Sequence, residues 1–161
     1  MIGNAVRQLG SAAIVAVGLA LGSMSVSQAQ EVDMASLTTN PLGIAAIQSM
    51  DAAFNEKNIE KAMSFLAEPY IQHNPKAPSG IAAARAGMEM LAKAFPDRRV
   101  DFKRVLVDGE LVAVHSHYID VPGDLGQAVV DIFRFEDGKI VEHWDVHEAV
   151  PEKAANDNTM F

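Results

Sequence analysis

The stretch Val129 to His147, VVDIFRFEDGKIVEHWDVH, constrains this chain more than any other. β-Branched and aromatic residues alternate on both sides of Glu136-Asp137-Gly138, which predicts two strands joined by a tight connection. A three-residue connection ending in Gly suits a type I turn closed by a G1 bulge, because Gly takes a positive φ at little cost. That turn pairs Phe135 with Lys139, Phe133 with Val141 and Asp131 with His143. A two-residue Asp-Gly turn instead sets Asp131 opposite Trp144, and such a slip exchanges the two faces. In the bulged register one face carries Asp131, Phe133, Val141, His143, Asp145 and His147, and the other Val130, Ile132, Ile140, Trp144 and Val146. Both faces are partly apolar, so both sides of the sheet are expected to be covered. The face mixing carboxylates and imidazoles with Phe133 reads as a pocket wall; the plainer one reads as a packing or dimer surface.

The rest of the chain supplies partners for this hairpin. Residues 1–29 read as a signal peptide: Arg7 lies before an apolar run from Ala12 to Leu21, and Ser27-Gln28-Ala29 offers small residues for cleavage. The run is short for a membrane span, and no Cys is present to carry a lipid anchor. The mature protein is therefore expected to be exported, periplasmic or secreted, with no membrane association after cleavage. Residues 30–40 form a flexible lead-in, 41–150 the domain and 151–161 a polar tail whose Met160-Phe161 end is expected to dock back.

Within the domain, Asn40-Pro41 starts a helix with an apolar stripe through Leu42, Ile47, Met50 and Phe54. Asn58 caps a second helix predicted over Ile59 to Ala67, and a third runs from Ser79 or Gly80 to Ala94, before Pro96. Between them Tyr70-Ile71-Gln72-His73-Asn74-Pro75 is extended. Four strands follow, near Val100–Val107, Leu111–Ile119, Ala128–Phe135 and Lys139–Glu148. Helices followed by an antiparallel meander define an α+β domain, and a curved sheet wrapped by three helices would make a cone.

Composition narrows the chemistry. Without Cys there is no thiolate nucleophile and no disulfide. A net charge of −8, with Lys and Arg scattered, argues against a nucleic-acid partner. All five histidines, His73, His115, His117, His143 and His147, fall in extended segments. A hairpin centred near Asp124 sets His117 opposite Asp131 and His115 opposite Phe133. A carboxylate between imidazoles in an apolar cavity suits proton transfer beside a carbonyl, or positioning of a water. An isolated strand histidine is more often structural than catalytic, whereas Asp131, mid-strand between Val130 and Ile132, needs a partner if it faces inward. His143-x-Asp145-x-His147 with His115-x-His117 also offers metal-type donors, but no standard metal motif is present, so no metal or other cofactor is expected.

With these pieces in place, YIQHNP after two helices, the strand VAVHSHY, DIFRFEDGKIVEHWDVHEAVP and the terminal NDNTMF together resemble the SnoaL-like proteins of the nuclear transport factor 2-like superfamily. The resemblance covers Pro41 to Phe161. It implies the cone, a homodimer through the outer sheet face, and a cofactor-free acid/base enzyme (aldol-type cyclase, isomerase or hydrolase) acting on a small apolar carbonyl compound. In that family an Asp acts as general acid/base beside a His, and Asp131 and His117 are the positions that resemble them. His73, His115, Phe133, His143, Asp145 and His147 would line the substrate. Asp145 also resembles the last-strand Asp of the limonene-epoxide hydrolase branch, with His73 in place of its Asn. The Arg-x-Asp of that branch is missing from Leu111 to Ile119. Ketosteroid isomerase shares the cone, but the sequence places no Tyr for its oxyanion hole. The alternative to an enzyme is a binding protein for a small hydrophobic ligand.

Overall fold

The computed structural model describes residues 34–161, so the expected signal peptide and the first lead-in residues lie outside the described residues. The elements run α1 (Met34–Leu37), α2 (Pro41–Phe54), α3 (Ile59–Met63), β1 (Leu66–Gln72), α4 (Ile81–Ala94), β2 (Arg99–Asp108), β3 (Leu111–Ile119), β4 (Gln127–Glu136) and β5 (Lys139–Ala149). The fold is α+β, with an open, curved five-stranded sheet ordered β1-β5-β4-β3-β2. β2 to β5 are the expected antiparallel meander; β1 joins parallel to β5. Among the described residues no helix is long and apolar enough to cross a membrane.

α2 forms where the sequence places it. Asn40 accepts from the Leu42 N–H at 2.9 Å, and Pro41 needs no donor at the first turn. Its buried stripe, Ala46, Ile47 and Met50, packs on Val100, Val112, Val114, Val129, Phe135 and Ile140 of the sheet. At its C-terminal end the Asn55 side chain accepts from Val100 N and donates to Val100 O, joining the helix to the start of β2. A one-turn helix, α1, occupies lead-in residues expected to lack structure.

The helix expected over Ile59 to Ala67 stops at Met63, because the chain there becomes β1. Leu66 pairs with Ile140, and the Ile140 N–H donates to Phe65 O at 2.8 Å. An unfilled sheet edge outweighs the weak helical preference of a short segment ending near Pro69. α4 begins after Gly80 (φ +99°), and the exposed Glu68 carboxylate accepts from its first N–H, that of Ile81.

Both hairpins differ in register from the sequence reading. Between β4 and β5 the turn has two central residues, Asp137 (φ +50°) and Gly138 (φ +73°), with Glu136 paired to Lys139. The extra residue sits further along, at Val141, where the ladder steps from Phe135↔Ile140 to Arg134↔Glu142. Asp131 therefore lies opposite Asp145, not His143, and Phe133 opposite His143, not Val141. The face carrying Asp131, Phe133, Val141, His143, Asp145 and His147 is the expected one, joined by the buried Ile140.

Between β3 and β4 the error is larger. Pairing begins at Tyr118↔Gln127 and puts Val114, not His117, opposite Asp131. Gly126 is the cause: at φ +76° it lies so close to Tyr118 O that a Cβ would stand 2.2 Å from it. This tight approach shortens the loop and moves the register by three residues, since His117 pairs with Ala128. An odd shift turns every β3 side chain to the opposite face.

Candidate active site

The inner face of the sheet, toward α2, is lined along β3 by Val112, Val114, Ser116 and Tyr118, along β4 by Val129, Asp131, Phe133 and Phe135, and on β5 by Ile140, Val141 and His143. In this mostly apolar lining Asp131 is only 5 % exposed. A carboxyl taken from water needs compensating hydrogen bonds, and Asp131 has one at each oxygen. Its Oδ1 is 3.1 Å from His143 Nε2, and its Oδ2 accepts from the Tyr118 hydroxyl at 3.1 Å. The Phe133 ring stacks on His143 with centroids 5.0 Å apart.

Two tyrosines face this centre. Burial, then the Asp131 charge, pushes the Tyr118 hydroxyl well above its ordinary range; burial, Asp131 and Asp145 raise that of Tyr70. Both therefore remain protonated donors at neutral pH. The expected β3 register sets Tyr118 on the outer face; the observed register turns it inward.

A second imidazole–carboxylate pair lies beside the first. Asp145 receives the Asn74 side-chain amide at 2.8 Å on each oxygen and stands 3.4 Å from His147 Nε2. Burial opposes ionisation of Asp145, but the hydrogen bonds from His147 and Asn74, with the nearby His143 and His147 rings, hold its pKa below the usual value. His147 is raised, chiefly by its hydrogen bond to Asp145, against a smaller opposing effect of burial. Its Nδ1 lies 3.2 Å from Gln127 Oε1.

Of the residues singled out in the sequence, Asp131, Phe133, His143, Asp145 and His147 come together on the inner face. His73, His115 and His117 do not. The expected Asp131–His117 contact is corrected to Asp131–His143, because the β3 register turns His117 outward. There His117 Nε2 donates to Leu125 O at 2.8 Å, and its ring stacks on Phe161 at 4.2 Å, so the tail does dock back. His115 accepts from Arg104 at 2.9 Å, and burial, then the Arg104 and Lys103 charges, lower its pKa. His73 stacks on Trp144 at 4.5 Å and bonds to Glu142 at 2.8 Å.

Further inward polar residues are not marked by the sequence pattern. Tyr70, Gln72 and Asn74 alternate along the YIQHNP stretch, so the buried Tyr70 fixes the inward face, and His73 between the other two must point away. Ser116 Oγ, fully enclosed on the same wall, has no hydrogen-bond partner among the described residues.

The metal alternative loses His115 and His117 to the other face. What remains is Asp131, His143 and Asp145, with one donor atom each within 4.8 Å of the others. Tyr118 is hydrogen-bonded to Asp131, Gln72 to His143 and Asn74 to Asp145, and Asp131 and His143 are bonded to each other. A hollow of about 440 Å³ lies elsewhere, between the end of β5 and the tail at Lys153, Asn156 and Met160.

A curved sheet with helices on the side of an acid–imidazole cluster defines a class, and the sequence comparison places the chain within it. The SnoaL-like domain family matches residues 47–143, more than half of the chain, so the protein belongs to that family. No functionally curated protein matches it. Solved structures share the fold. A SnoaL-like protein of unknown function from Burkholderia thailandensis is 17 % identical, with TM-score 0.60, over 70 % of this chain and 99 % of that one. A candidate ketosteroid isomerase from Kribbella flavida is 21 % identical, with TM-score 0.59, over 72 % and 84 %. A candidate polyketide cyclase from Acidithiobacillus ferrooxidans is 20 % identical, with TM-score 0.58, over 68 % and 89 %.

Proposed function

We propose that this protein is an exported, cofactor-independent acid/base enzyme acting on a small apolar carbonyl compound. Asp131 is its general acid/base, and His143 is the group that shares its proton. The observation that carries this reading is the buried Asp131 carboxyl, held between His143 Nε2 and the Tyr118 hydroxyl. Such a carboxylate can take a proton from a carbon beside a carbonyl and return it elsewhere, the step common to aldol-type ring closure and double-bond isomerisation. Phe133 and the neighbouring aliphatic residues would hold the apolar part of the substrate, and Asp145 with His147 its polar edge or a water. The names of the two candidate enzymes among the similar structures agree with this chemistry.

The test is hydrogen–deuterium exchange of the α-protons of 2-tetralone, an apolar ketone, followed by NMR in deuterated buffer. The wild-type protein should accelerate exchange and Asp131→Asn should return it to the buffer rate. No acceleration, or equal acceleration by the variant, counts against the proposal.

The second reading is a carrier of a small hydrophobic ligand, favoured by the largely apolar inner wall. A carrier copurifies with its ligand and tolerates Asp131→Asn better than changes at Phe133. We also infer a homodimer through the outer sheet face, where Trp144 and the 65 % exposed Val146 lie. Export through cleavage after Ala29 is supported by the leader composition alone, and sequencing the mature N-terminus tests it.

A further inference from the structure

The hydrogen bonds at the end of β1 leave His143 little freedom. The backbone N–H of Asn74 donates to Gln72 Oε1 at 2.8 Å. A backbone N–H can only donate, so the oxygen of the Gln72 amide, not its nitrogen, must face this point. The same oxygen lies 3.1 Å from His143 Nδ1. Two acceptors do not bond, so Nδ1 carries a hydrogen. On the far side of the ring, Nε2 lies 3.1 Å from Asp131 Oδ1, and that contact needs a proton as well, on one atom or the other. Asp131 Oδ2 is already occupied as an acceptor by Tyr118.

The His143–Asp131 pair thus holds one hydrogen fixed toward Gln72 and one shared between acid and imidazole. The proton-poor arrangement, a bare Nδ1 with Nε2–H donating to the carboxylate, would set two lone pairs against each other at the Gln72 contact. We propose that Gln72 is a positioning residue that fixes a hydrogen on His143 Nδ1 and thereby retains a transferable proton between His143 and Asp131. Its use in catalysis rests on the proton-transfer reading above; the hydrogen-bond polarity does not. β1 supplies this control from the far end of the domain sequence, since its parallel pairing sets Gln72 beside His143. The charged or titratable groups facing the pair are Asp145 and His147 from β5, Tyr118 from β3 and Tyr70 from β1, with Arg98 beyond Tyr118 and Lys76 toward His147. None of them changes in the variants below.

The experiment is a ¹⁵N NMR pH titration of histidine-labelled protein, wild type, Gln72→Leu and Gln72→Glu, with His143 assigned by its loss in His143→Gln. In the wild type, Nδ1 should read as protonated at neutral pH. Gln72→Leu removes the acceptor, so the midpoint for proton loss should fall by about one pH unit, with the neutral ring moving to the Nε2–H tautomer. Gln72→Glu restores an acceptor and adds negative charge, and the midpoint should rise. A merely structural glutamine would alter stability and leave the tautomer alone. A bare Nδ1 in the wild type, or an unmoved tautomer and midpoint in Gln72→Leu, overturns the proposal. Should the Leu variant fail to fold, the Glu variant decides: an upward shift supports the assignment and no shift overturns it. The 2-tetralone exchange is scored separately, so absent exchange with the Nδ1 hydrogen in place defeats the catalytic reading and spares this one.

Discussion

The two faces of the sheet carry similar side chains and put them to different uses. On the outer face His73, His115 and His117 each rest on a fixed partner: the Trp144 ring and Glu142, the Arg104 guanidinium, and the Leu125 carbonyl with Phe161. On the inner face His143 and His147 each meet a carboxylate, and those two carboxylates, Asp131 and Asp145, stand directly opposite on neighbouring strands. Like charges placed so repel, and only proton-bearing neighbours relieve it. What makes a histidine a candidate for chemistry here is therefore its environment, not its strand. An imidazole that donates to a backbone carbonyl, as His117 does, or faces a guanidinium, as His115 does, has little proton to trade. One that shares a proton with a buried acid does.

Substitutions can break this contrast, starting with the strongest. Phe135→Ala, on the fully buried inner side, should cost about 3–5 kcal/mol in denaturant unfolding. Val146→Lys on the outer side should leave the fold intact and, if the proposed dimer forms through that face, separate it in light scattering; loss of folding there would erase the distinction between the faces. Tyr118→Phe leaves Asp131 Oδ2 without its donor and should cost about 1–3 kcal/mol at neutral pH. Ser116→Ala removes a buried hydroxyl that has no partner, so it should be neutral or stabilising by up to about 1 kcal/mol.

The smallest effect is a pH dependence. The Asp145 pKa is lowered from 3.8, so its contribution is present above that value and lost as pH falls through the folded-state pKa. The His147 pKa is raised from 6.5, so its contribution is complete below that value and lost as pH rises through the folded-state pKa. Thermal unfolding of His147→Gln against wild type should therefore differ most between those two values and converge on both sides. A difference growing toward alkaline pH would contradict the assigned pair.

Much of this architecture was legible from residue pattern. The Asn40-Pro41 start, the strand boundaries and the inward set on β4 and β5 follow from caps and alternation. The β4–β5 faces match those expected from alternation, although both turn and partners differ. Moving the extra residue from the turn to Val141 slides the partners by two and preserves the faces. The β3–β4 loop was less forgiving. Nothing in Asp120 to Gln127 announces that Gly126 packs against Tyr118 O, and a slip of three sent His117 outward and concealed Tyr118. Gln72 and Asn74 are hidden for another reason: the chemistry of His73 suggests an inward role, whereas period-two alternation from Tyr70 turns it away.

The central claim is that the working proton lies between Asp131 and His143. It is tested most directly by comparing Asp131→Asn with His117→Ala in the 2-tetralone exchange assay at one pH. The account predicts a fall of about 10²–10⁴-fold in the enzyme-dependent rate for the first and a change within about twofold for the second. Equal losses, or a greater loss at His117, would contradict it.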